Sequence, residues 1–95
     1  MDSVRFFNPY TRVFLTFPME KVKQAVRFVI STAGLPDLDD ALFNCWQVSS
    51  VFTDEERELL SLAQTIVSGT KDGFVKPEEF NVYDLAAEVA RELDL

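Results

Sequence analysis

The residues best suited to chemistry lie together in "SGTKDGFVKPEEF", residues 68–80. Hydroxyls and carboxylates surround an Asp72-Gly73 pair there, and oxygen donors of this kind suit a hard cation such as calcium. An Asp-Gly pair is equally the mark of a sharp chain reversal, and a plain interhelical turn is what the residues themselves favour. Other chemistries are thinly represented. The chain has no histidine, which removes histidine-dependent triads, imidazole general bases and most transition-metal sites. The single cysteine, Cys45, cannot hold zinc or an iron–sulfur cluster. Beside Trp46 on the inward face of a predicted helix, it reads as a small core residue rather than a nucleophile. Neither GxGxxG nor GxxxxGK[ST] occurs. Sixteen acids bring some carboxylates close by chance, so proximity alone would not mark an acid–base pair. The expectation is a protein that is not an enzyme and carries no cofactor.

Residues 68–80 resemble the loop of an EF-hand, the helix–loop–helix calcium motif. The resemblance implies Ser68, Thr70 and Asp72 at loop positions 1, 3 and 5, and Gly73 at the bend. It further implies the Phe74 carbonyl at position 7, Val75 at the apolar eighth position and Glu79 as the closing carboxylate. Serine stands where the motif opens with aspartate, only Asp72 and Glu79 supply charge, and Pro77 is foreign to the pattern. No second loop pairs with it. The resemblance therefore implies, as an alternative to a plain turn, a degenerate and calcium-independent module with no bound metal.

The elements around this segment follow from periodicity. Val4–Phe7 and Arg12–Phe17 flank Asn8-Pro9 and predict a short hairpin, ended by Pro18. From Pro18 to Ala33, Val22, Ala25, Val26, Val29 and Ile30 recur at helical spacing, and Gly34 is a natural left-handed stop. Asp37 opens a short second helix with Leu38, Ala41, Leu42, Cys45 and Trp46 inward. Thr53 and Glu56 form a capping box for a third helix, expected to stop at Gly69. Pro77–Phe80 predicts a first turn, followed by a main helix from about Val82 capped by Asn81; one helix from Pro77 to Asp94 is the alternative. The fold class is mainly α, one small domain over 1–95 with about four helices and an N-terminal hairpin; α+β is the alternative.

Charge and aromatics indicate how such a body would act. Residues 1–52 hold five acids and five bases, whereas 53–95 hold eleven acids and four bases, so the net charge of −7 resides in the second half. That field disfavours direct nucleic-acid binding and anionic membranes, and favours basic protein surfaces. The expected acidic face comprises Asp54, Glu55 and Glu58 with Asp84, Glu88 and Glu92. Phe6, Phe7, Tyr10 and Phe14 crowd the first seventeen residues, and a hairpin cannot hide both of its faces. One cysteine, no basic-then-apolar leader and no long apolar run read as soluble and cytoplasmic. The functional expectation is a small acidic protein–protein interaction module, a regulator or inhibitor that occludes a basic surface of a larger partner. The alternatives are an EF-hand-like module gripping a target peptide, and a structural subunit that forms a homodimer through its aromatic end.

Overall fold

The computed structural model describes residues 2–95. The hairpin forms first, from β1 (Ser3–Asn8) and β2 (Val13–Pro18). They pair antiparallel, with Val4 opposite Phe17, Phe6 opposite Leu15 and Phe7 opposite Phe14. The turn is built by side chains. Asn8 Oδ1 accepts from the Tyr10 amide at 2.9 Å and Arg12 takes a left-handed φ of 57°. The strand ends expected from sequence lie within a residue of those observed.

Pro18 ends β2 and is at once the N-terminal flank of α1 (Met19–Ala33), so strand passes to helix with no loop. The Met19 amide donates to Asp2 O at 2.9 Å and closes the base of the hairpin. The apolar stripe of α1 is fully buried, and Gly34, at φ 67°, returns its amide to Ile30 O. Helix α2 (Leu38–Gln47) opens on Asp37, whose carboxylate accepts from the Asp40 amide at 3.0 Å. A single 3-10 turn at Ser49–Val51 leads to α3 (Asp54–Lys71), which begins with the complete Thr53/Glu56 capping box. Helix α4 (Val82–Glu92) is capped by Asn81, whose Oδ1 accepts from Tyr83 N at 2.9 Å. The chain is thus mainly α with a two-stranded hairpin, and the α+β alternative does not hold.

Helix α1 is the centre of the molecule. Helices α2, α3 and α4 all pack on it, while α3 and α4 touch each other little. One continuous apolar cluster runs from Val4 through Val29, Ile30, Leu60 and Ile66 to Val82 and Val89. Each fully buried aliphatic side chain contributes roughly 1.5–3 kcal/mol by leaving water. No helix among the described residues is long and apolar enough to cross a membrane.

Two expectations fail, and each for a packing reason. Helix α3 does not stop at Gly69; it continues through it to Lys71, and Gly69 is buried. A Cβ at Gly69 would lie 2.5 Å from Phe6 Cε2 and 3.1 Å from Val75 Cγ2. The glycine is therefore a notch that admits the Phe6 ring, and the left-handed reversal falls to Gly73 at φ 80°. Trp46 is not an inward residue of α2 either. It stays 41% exposed, lying along α3 with its indole N–H donating to Gln64 Oε1 at 3.1 Å.

Candidate interaction surface

The segment 68–80 is a turn whose oxygens already have other tasks. Ser68 and Thr70 belong to the last turns of α3 rather than to a loop. The Ser68 hydroxyl accepts from Gln64 Nε2 at 3.0 Å, and the Thr70 hydroxyl donates to Ile66 O at 2.8 Å. The loop opens only at Asp72, so the twelve-residue frame implied by the EF-hand resemblance is not formed. Gly69 O receives both the Phe74 and Val75 amides, at 2.7 and 3.0 Å, which folds the loop back over the helix end. Phe74 O, the carbonyl expected to face a cation, accepts from the Phe7 amide at 2.9 Å instead. Glu79 lies outside, with Oε1 3.9 Å from Arg5 Nη1. Among the described residues no group of three or more cysteines and carboxylates is placed to hold a metal ion.

The six expected acidic residues are exposed, but they do not form one face. Glu55 and Glu58 of α3 border Lys21 of α1. Glu88 and Glu92 of α4 border Lys23 and Arg27 across an open trough of about 410 Å³. Arg27 Nη1 donates to Glu92 Oε2 at 2.7 Å, and Arg57 Nη2 to Asp54 Oδ1 at 2.6 Å. Asp84 sits in the first turn of α4. The bases of α1 thus divide the carboxylates into two flanks. This corrects the reading of one acidic face on the last two helices, because those helices pack on α1 far more than on each other.

The hairpin carries the aromatics as its pleat requires. Phe6 turns inward, where its ring meets Phe17 and Phe74 edge-on at centroid distances of 6.3 and 5.5 Å. Phe7 and Phe14 are cross-strand neighbours on the outer face, 6.2 Å apart, and the Arg5 guanidinium lies 4.9 Å over the Phe14 ring. With Phe74, Lys76 and Glu79 they line an apolar groove of about 310 Å³. Tyr10 stands at the hairpin tip, 88% exposed, with one ring edge toward Phe74. Of the four N-terminal aromatics singled out in the sequence, Phe6 is a core wedge and Phe7, Tyr10 and Phe14 are surface.

Sequence reasoning missed Val13 and Leu15. Their alternation with Phe17 marks them as a buried face, and the register does place them on the Phe6 side of the sheet. Strand β2 nevertheless overhangs the helices, leaving Val13 48% and Leu15 45% exposed. The signal was present in "VFLTF", where no charged residue interrupts either face of the strand.

Two titratable groups are displaced from their ordinary range. Burial pushes the Cys45 thiol up, and its Sγ lies 3.6 Å from Val29 O, to which it donates. The Tyr83 phenol is pushed up to about 12, first by burial and then by its hydrogen bond to Asp39 Oδ1 at 3.0 Å. Both groups are held neutral, which suits structural roles rather than nucleophilic ones. No protein-family model, curated protein or solved structure matches this chain.

Proposed function

We propose that the protein is a small acidic protein–protein interaction module, a regulator that occludes part of a larger, basic partner. The observation that carries this reading is the outer face of the hairpin. Phe7 and Phe14 form an exposed aromatic pair beside an apolar groove, on strands held by a closed base and a side-chain-built turn. Aromatic anchors on a preorganised support are the usual energetic centre of an interface. The net charge of −7 adds a long-range pull toward a basic partner, which acts on association rate more than on the lifetime of the complex. The division of the acids by the bases of α1 argues against imitation of a phosphate track, since alternating signs do not resemble a polyanion.

The test places a photo-reactive benzoyl-phenylalanine at Phe7 and, as a control, at Phe43, an exposed apolar residue of α2. Irradiation in the cells that make the protein should give a discrete adduct from position 7 and none from position 43. The adduct should weaken as salt rises and with Glu55→Gln plus Glu58→Gln. Adducts from position 43 with none from position 7 would refute the reading.

A further inference from the structure

The free edge of β2 has a specific arrangement of backbone groups. The Phe7 amide points away from β2, toward Phe74 O, and Met19 N bonds Asp2 O at the hairpin base. Phe7–Phe14, Arg5–Thr16 and Ser3–Pro18 are therefore the non-hydrogen-bonded pairs of the ladder. It follows that the N–H and C=O of Phe14 and Thr16 point outward, along the edge of β2 remote from β1. Among the described residues no backbone group pairs with them. The outer edge of β1 differs, because the Phe74 carbonyl covers it. Edge strands are commonly blunted by charge, bulges or a covering element. The edge of β2 from Val13 to Phe17 has none of these, and its inner-face residues Val13 and Leu15 are nearly half exposed.

We propose that this edge pairs with the same edge of a second copy, antiparallel about a two-fold axis at Leu15, giving a four-stranded sheet across a homodimer. This rests on the backbone edge of β2 and is independent of the partner groove on the outer face. The register is set at both ends. Pro18 has no N–H to offer, and Arg12, at φ 57°, leaves the strand. Between them only a register centred on Leu15 uses the whole strand. Phe14 of one copy then exchanges both backbone bonds with Thr16 of the other, and the two-fold repeats the exchange. On the inner face Leu15 meets its own copy and Val13 meets Phe17. The exposed side chains of an overhanging strand thereby cover each other.

Charge favours a second copy as the occupant. Residues 3–18 hold Arg5 and Arg12 and no acid, in a chain of net charge −7, so this is where two like-charged bodies can meet with least repulsion. In this register Arg12 falls opposite Pro18 of the other copy, next to its exposed Glu20 in the first turn of α1.

The experiment uses the full chain in three parts. Sedimentation velocity from about 10 to about 500 µM should show a monomer passing to a dimer, as expected for a small interface. Leu15→Cys should become a disulfide dimer in oxidised glutathione, because a non-hydrogen-bonded pair sets the Cα atoms only about 4.5 Å apart. Phe14→Cys should link far more slowly, since it lies opposite Thr16, and buried Cys45 offers no competing thiol. Thr16→Pro removes an outward N–H that the hairpin itself does not use, and should abolish the dimer at an unchanged circular dichroism spectrum and melting temperature. Leu15→Lys should do the same. A monomer throughout the concentration range overturns the proposal, as does a dimer that survives both variants, or Phe14→Cys linking as fast as Leu15→Cys.

Discussion

Gly69 offers the most direct test of how the hairpin is seated. In an exposed helix, glycine to alanine stabilises by about 1 kcal/mol, because the backbone loses less entropy on folding. Gly69 sits inside α3, so propensity alone says that Gly69→Ala should raise stability. The packing says the opposite. The new methyl would lie 2.5 and 2.8 Å from two carbons of the Phe6 ring, well inside van der Waals contact. That ring cannot retreat freely, because Phe17 and Phe74 hold it edge-on from other sides. Overpacking of this kind costs about 1–3 kcal/mol. Set against the propensity gain, the net expectation is a loss of up to about 2 kcal/mol, centred near about 1 kcal/mol, or ~4–8 °C in melting temperature for a domain of this size. Urea titration at constant m-value measures it. The decisive comparison is a double-mutant cycle with Phe6→Ala. Once the ring is gone, the same Gly69→Ala change should become stabilising, by up to about 1 kcal/mol. A Gly69→Ala protein more stable than wild type, or one whose effect does not depend on Phe6, would refute the notch-and-wedge account.

Three further outcomes follow from the contacts described. Thr53→Ala removes the hydroxyl that accepts from the Glu56 amide at 3.1 Å and should cost about 1 kcal/mol in a urea midpoint analysis. In a Tyr10→Phe background Tyr83 is the sole tyrosine, and its absorbance titration should centre at about 12, falling when Asp39 becomes Asn. The unfolded phenol ionises near 10, so between the two values the native state holds more protons and stability should fall as pH rises through that window; a midpoint near 10 in the folded protein would contradict this. Millimolar calcium should give neither heat in calorimetry nor a shift in melting temperature, because Ser68 and Thr70 are helical and Phe74 O faces the hairpin.

Much of this architecture could be read from the sequence, wherever a local rule decides the outcome. Thr53 with Glu56, Asp37, Asn81 and Gly34 fix helix ends through neighbours a few residues away, and each acts as its residue type suggests. The errors arise where a distant residue overrules the local rule. Gly69 looks like a stop because glycine usually is one; here it lies inside α3, and what requires the glycine is the ring of Phe6, more than sixty positions earlier. The EF-hand spacing fails because α3 runs past Gly69 to Lys71, so that Ser68 and Thr70 are both helical. The six acidic residues singled out are all exposed as expected, but their grouping depends on which helix lies between them, and periodicity within α3 and α4 does not contain that information. The aromatic end was recognisable as a surplus, whereas its division into the Phe6 wedge and the Phe7–Phe14 surface pair required the register.

The direct passage from β2 to α1 has a mechanical consequence. Pro18 serves both elements and the Met19 amide is tied to Asp2 O, so no swivel separates the two-stranded arm from the central helix. A load applied at Tyr10 is therefore carried as torque into α1, and through it to every other helix. A molecule seated on the arm would meet a stiff handle rather than a trailing ribbon, and little conformational freedom would be left to freeze out at the moment of capture.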